Sequence, residues 1–178
     1  MTSPDEWAAI EDFKHRIRAL RASIDRYVHL QRKALDSIVA SPPGVAGYTP
    51  AQQQLNSEAD AEIEALLNKA NQLRRALRSP HLPAALSGQS FGALDAPIKH
   101  VRNIREHWDD NRPFWSNGLP IPTRGHASAR WFMARYPDKT PWSSSWSNAD
   151  GSVVCGIIRL NELLAILSQL EASIPASQ

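Results

Sequence analysis

Apolar residues recur along the first forty positions at Trp7, Ile10, Phe13, Ile17, Leu20, Ile24, Tyr27, Leu35 and Ile38. The steps are mostly three and four, the repeat of one face of an α-helix. A helix is therefore predicted over residues 1–40, with its periodicity faltering near Gln31. Ser3 is suited to cap its start, and Pro4 suits the first helical position, where no N–H is needed. Asp5, Glu6, Glu11 and Asp12 follow where the helix dipole favours acids. SPPGVAGYTP, residues 41–50, then breaks the pattern with three prolines and two glycines and reads as a linker turn.

A second helix is predicted over residues 50–79, opened by the cap-and-proline pair Thr49-Pro50. Its apolar positions are Leu55, Ile63, Leu66, Leu67, Ala70, Leu73 and Leu77. Glu58, Asp60, Glu62 and Glu64 come early, and Lys69, Arg74, Arg75 and Arg78 come late. The dipole favours that order, so the late arginines need no nucleic acid to explain them. Two helices of about 40–55 Å joined by a short turn form an antiparallel hairpin, and each leaves an apolar stripe that needs further cover.

SPHLPAALSGQS, residues 79–90, is a second breaker. A third helix over residues 91–110, beginning near Ser90 or at Asp95-Ala96-Pro97, carries KHVRNIREHWDD and should end before Pro113; residues 111–123, rich in Pro, Gly and Asn, read as a loop. ARWFMAR, WSSSWS and SVVCGII then favour strands, and NADG (148–151) is a tight-turn signal, which predicts a β-hairpin region over 126–157. RLNELLAILSQLEASI predicts a last helix over 158–173. No internal repeat is visible. The expected fold is mainly α: a single domain over 1–178, an antiparallel helical bundle with a long N-terminal helical hairpin and a small β-hairpin before the last helix.

Composition narrows the class. A chain of 178 residues is enough for one domain with a real core and marginal for two. No apolar run approaches the length of a membrane span, so no membrane partner is expected. MTSPDEWAAIEDF carries acids where a secretory signal would carry bases and then an apolar stretch, which points to the cytoplasm. The lone Cys155 cannot make an internal disulfide or a cysteine-based zinc site, and within SVVCGII it reads as a buried small hydrophobe. A formal net charge of +2 lacks the strongly basic footprint of a dedicated nucleic-acid binder, though a local basic patch remains open because net charge averages over all faces.

Candidate chemistry gathers on KHVRNIREHWDD. On a helical wheel, Ile98, Val101, Ile104 and Trp108 share one side and should face the core, while His100, Asn103 and His107 form a second stripe flanking it. Arg102 projects roughly 140° away from His107 on an ideal helix. An ordinary surface helix accounts for much of this: Arg102 and Glu106, four apart, can pair for a few tenths of a kcal/mol, Asp109 and Asp110 can be solvated, and His107 can pack near Trp108. The tighter spacing R-N-x-x-x-H is less ordinary, arising by chance in about one chain in a hundred at average composition.

VRNIREHWDD resembles the signature of the HEPN superfamily, small helical-bundle proteins that include many RNA-cleaving toxins and defence nucleases. Their motif is Arg, four to six residues, then His, often with Asn directly after the Arg; here those positions are Arg102, Asn103 and His107. The close resemblance covers about ten residues, and the surrounding helices agree with the bundle in a general way. It implies RNA cleavage without a metal or other cofactor. His107 would take the proton from a ribose 2′-OH, a task suited to an imidazole whose ordinary pKa is about 6.5. Arg102, with its permanent charge and planar fork, would stabilise the phosphorane, and Asn103 would orient the imidazole or the phosphate. It also implies a homodimer with facing motifs, RNA as substrate, and an antitoxin or other protein partner. Many members of the superfamily lack nuclease activity, so a non-catalytic dimerisation or partner-binding module is the alternative.

Other features point less clearly to a site. His100 and His107 have no acid between them on the same stripe to complete a metal site. His126 with Ser128, and Ser143 to Ser145, do not form a nucleophile elbow. Trp115, Trp131, Trp142 and Trp146 suit a core between hairpin and bundle, or bases to be stacked. No glycine-rich phosphate loop is present.

Overall fold

The computed structural model describes residues 3–40, 48–107, 127–141, 145–147 and 151–175. Helix α1 (Pro4–Val39) starts as its sequence dictates: Ser3 Oγ accepts the N–H of Glu6 at 3.1 Å, with Pro4 just inside. Helix α2 (Pro50–Ala76) starts with a capping box. Thr49 Oγ1 accepts the Gln52 N–H at 3.2 Å, and Gln52 Oε1 accepts the Thr49 N–H at 2.8 Å. Gln52 Nε2 also donates to the Ser37 carbonyl at 3.0 Å, so one side chain ties the start of α2 to the end of α1.

The two helices run antiparallel. Ser37 meets Gln52, then Arg26 meets Glu62, then Ser23 meets Lys69, in reverse chain order. Ser23 is fully buried; its hydroxyl donates to Glu62 and accepts from Lys69 Nζ at 3.2 Å. Burial works against the Glu62 carboxylate, but hydrogen bonds from Arg26 and Ser23 and the charges of Arg26 and Lys69 outweigh it and hold its pKa below the usual carboxylate range.

After α2 come the short helix α3 (Ala84–Ser87), a 3-10 turn (Gly92–Leu94) and helix α4 (Asp95–Glu106). Helix α5 (Ala127–Arg135) precedes strands β1 (Ser145–Ser147), β2 (Gly151–Val154) and β3 (Ile158–Arg159), and helix α6 (Leu160–Ala172) closes the described chain. The sheet order is β1-β2-β3, antiparallel throughout, with Ser147 opposite Gly151 and Val154 opposite Ile158. Cys155 (φ 53°) and Gly156 (φ 71°) make the left-handed turn from β2 to β3. Helix α4 packs on α2 and on α5, while α6 packs on α1 and β2. One hydrophobic cluster runs through these elements and includes Phe13, Leu20, Leu66, Phe91, Ile98, Phe132 and Leu163. The mainly helical architecture with a long N-terminal helix and a small antiparallel sheet before the last helix is thus the one expected.

Several local expectations need correction. ARWFMAR is helical, lying in α5, not a strand. Ser128, Ala129, Phe132 and Met133 are its buried residues, a spacing of one, three and one that fits a helical face and not alternation. Trp and Phe suit strands, but Ala, Met and Arg favour helix, and α4 offers a surface for one helical face. The motif helix is shorter than 91–110: of its two expected starts the later, Asp95, is the observed one, since Phe91 precedes a 3-10 turn, and α4 ends at Glu106. The second helix ends at Ala76 and not 79, and the last begins at Leu160 because 158–159 pair as β3. Trp7, Leu35 and Ile38, counted into the apolar stripe of α1, are 61%, 40% and 46% exposed. The turn at 148–150, the loop at 111–123 and Trp108, Trp115 and Trp142 lie outside the described residues. No described helix is long and apolar enough to cross a membrane.

Candidate functional site

Helix α4 is positioned by its apolar face. Ile98, Val101 and Ile104 are fully buried, as their spacing requires. Arg105, beside Ile104, is also buried, with 4% of its side chain exposed. It donates to Asp60 at 2.6 Å and to the Pro141 carbonyl at 3.4 Å, with Glu64 at 3.5 Å. Its Nε finds no hydrogen-bond partner among the described residues. Cys155 is fully buried near this guanidinium, and burial pushes its thiol up to about 12. The expectation of an inert buried cysteine holds. Nothing in the apolar repeat singles out the buried Arg105; a charge directly beside an apolar a/d-type position is the one signal that would have raised it.

The opposite flank of α4 carries the motif. Arg102 Nε donates to Asn68 Oδ1 at 3.2 Å, Nη2 to Glu106 Oε1 at 2.7 Å, and Nη1 to Asn103 Oδ1 at 3.4 Å. The pairing of Arg102 with Glu106 is the helix-surface ion pair expected from their spacing. Asn103 Nδ2 donates to Ser128 Oγ on α5 at 3.4 Å. His107 does not continue the helical stripe. Its N–H still closes the last turn on the Asn103 carbonyl at 3.3 Å, but its own backbone (φ −112°, ψ 40°) has left the helix, and the residue is exposed. The wheel angle between Arg102 and His107 therefore does not describe their placement. Arg102 and Asn103 are in contact, and His107 lies on the surface at the helix end, bonded through its backbone to the same Asn103.

His100 and Ser128 complete the arrangement. His100 Nδ1 lies 3.0 Å from Ser128 Oγ, the same hydroxyl that accepts from Asn103. The His100 ring stacks on Trp131, with centroids 4.2 Å apart and planes 15° from parallel. Arg135 lies over the same indole, 4.8 Å from its centroid. Burial, and then the charges of Lys99, Arg135 and Arg74, push the His100 imidazole below its ordinary pKa. Ser128 Oγ thus links His100 to Asn103, and a chain of polar contacts runs from Arg102 through Asn103 and Ser128 to His100. Sequence reading set Ser128 beside His126, which lies outside the described residues, and missed this grouping. The signal was two pairs of equal spacing, His100 with Asn103 and Ser128 with Trp131, legible only once ARWFMAR is read as a helix.

A cavity of about 190 Å³ opens beside Arg102, lined by Glu64, Leu67, Asn68, Arg102, Arg105 and Glu106. Two arginines and two glutamates face it, so an anion entering there competes with carboxylates already in place. Among the described residues no three His, Cys, Asp or Glu side chains come together as a metal site would require. No protein-family model, no curated protein and no solved structure matches this chain.

Proposed function

We propose that this chain is a HEPN-like, metal-independent endoribonuclease that works as a homodimer. The reading rests on its R-N-x-x-x-H motif, and the observation that supports it best is the placement of the three residues. Asn103 contacts Arg102 through its side chain and His107 through its backbone, and His107 is exposed at a helix end where a substrate can reach it. In this mechanism His107 removes the proton from a ribose 2′-OH. The oxygen attacks the adjacent phosphorus, the 5′-oxygen leaves, and a 2′,3′-cyclic phosphate remains. Arg102 stabilises the doubly charged phosphorane, and Asn103 holds Arg102 in place through its Oδ1. In a dimer with facing motifs, Arg102 of one protomer serves the same phosphate as His107 of its partner. RNA is the substrate, and an antitoxin or other protein partner would act by covering this face.

A second reading, a HEPN-like helical module that dimerises or binds a partner without catalysis, is favoured by the ion pair between Arg102 and Glu106 and by Glu64 in the same cavity. Substrate chemistry separates the two. RNA cut by the enzyme in EDTA should carry 2′,3′-cyclic phosphate ends, and a strand with 2′-deoxyribose at the cut nucleotide should stay intact. Equal cutting of both strands, or none of either, would favour the module.

A further inference from the structure

The chain of polar contacts from Arg102 ends on a second surface feature. His100 and Trp131 form a half-buried aromatic stack contributed by two helices, and two exposed cations, Lys99 and Arg135, flank it. Neither cation has a carboxylate partner among the described residues, unlike Arg74, which pairs with Asp95 at 3.2 Å. The charges that lower the His100 imidazole are Lys99, Arg135 and Arg74, and of these Lys99 and Arg135 are the exposed ones. This is a local basic face on a chain whose net charge is only +2. It adjoins the motif directly, because His100 and Asn103 share the Ser128 hydroxyl.

We infer that Lys99, His100, Trp131 and Arg135 form the subsite that holds single-stranded RNA beside the cut nucleotide, Lys99 and Arg135 on phosphates and an unpaired base against the His100–Trp131 stack. Unpaired cations supply the sequence-independent grip on a phosphate backbone, and an aromatic stack supplies the affinity for bases that an acidic peptide lacks. The choice of RNA as the polyanion rests on the proposed function; the grip itself does not.

The test is binding of a fluorescent, fully 2′-O-methylated twelve-nucleotide RNA, which has no 2′-OH to attack and so reports binding without cleavage. A Lys99→Gln/Arg135→Gln double variant should bind at least about 10-fold more weakly at low salt. Its log Kd against log salt should lose about 1.4 in slope, at roughly 0.7 per lost contact on a single strand. Lys99→Gln alone leaves the Arg135–Trp131 contact untouched and should show about half that change in slope, which guards against a folding defect in the double variant. Unchanged affinity and slope in the double variant overturn the inference, as does a wild-type protein that ignores the oligonucleotide but binds polyglutamate. Cleavage lost in His107→Ala but intact in the double variant removes the subsite and leaves the nuclease. Oligonucleotide binding lost in the double variant, with no cleavage by wild type, keeps the subsite and removes the nuclease.

Discussion

Arg102 donates to Glu106 at 2.7 Å, and in the proposed mechanism a phosphorane would have to compete with that carboxylate for the same guanidinium. Exposed pairs at this spacing contribute about 0.3–0.5 kcal/mol to a helix, so Glu106→Gln should barely change the melting temperature. Freeing the charge should raise kcat/KM for RNA, up to about tenfold if the gain approaches 1.4 kcal/mol. A slower Glu106→Gln enzyme would mean that the carboxylate positions Arg102. His100 gives a second expectation. Its imidazole is held below its ordinary pKa by burial and by Lys99, Arg135 and Arg74. The unfolded chain therefore binds more protons than the folded one as pH falls below about 6.5, and stability should drop there. At neutral pH and above, both states are unprotonated and the effect vanishes. In urea melts at pH 7.5 and pH 5, His100→Gln should lose less stability on acidification than wild type; equal losses would remove His100 as the cause.

Helices α1 and α2 were legible because their apolar repeats are long and their starts carry explicit capping residues, Ser3 and Thr49 with Gln52. ARWFMAR was not, because seven residues give a periodicity signal little stronger than their β-favouring aromatics, and its helical face is defined by α4. The motif on α4 was legible as a spacing. Its surroundings were not: Asn68, Ser128 and Trp131 reach it from other helices, and no local pattern foretells such partners. The helical reading of α5 is itself testable. Phe132 is fully buried and Ala134 exposed. Phe132→Ala should cost about 3–5 kcal/mol by chemical denaturation, while Ala134→Gln should stay within about 0.5 kcal/mol. A strand at this place would bury alternate residues and would not give Ala134 this tolerance beside Phe132's sensitivity. At the turn into β3, Gly156 holds φ 71°, so Gly156→Val should destabilise by about 1–2 kcal/mol, read from the same melts.

Across the whole molecule, a long helical hairpin supports a short helix that carries Arg102 and Asn103 in contact and is followed directly by the exposed His107, next to a basic aromatic face. Nothing in this arrangement calls for a metal ion: the proposed base is an imidazole and the proposed electrophilic group a guanidinium. In the proposed mechanism His107 does the chemistry. The most direct measurement is the cleavage rate of a mixed RNA substrate in EDTA by wild type and by His107→Ala, prepared side by side and matched for melting temperature. The wild-type rate should fall by about 10²-fold or more in the variant, the scale of a lost general base. Equal rates for the two proteins would contradict it.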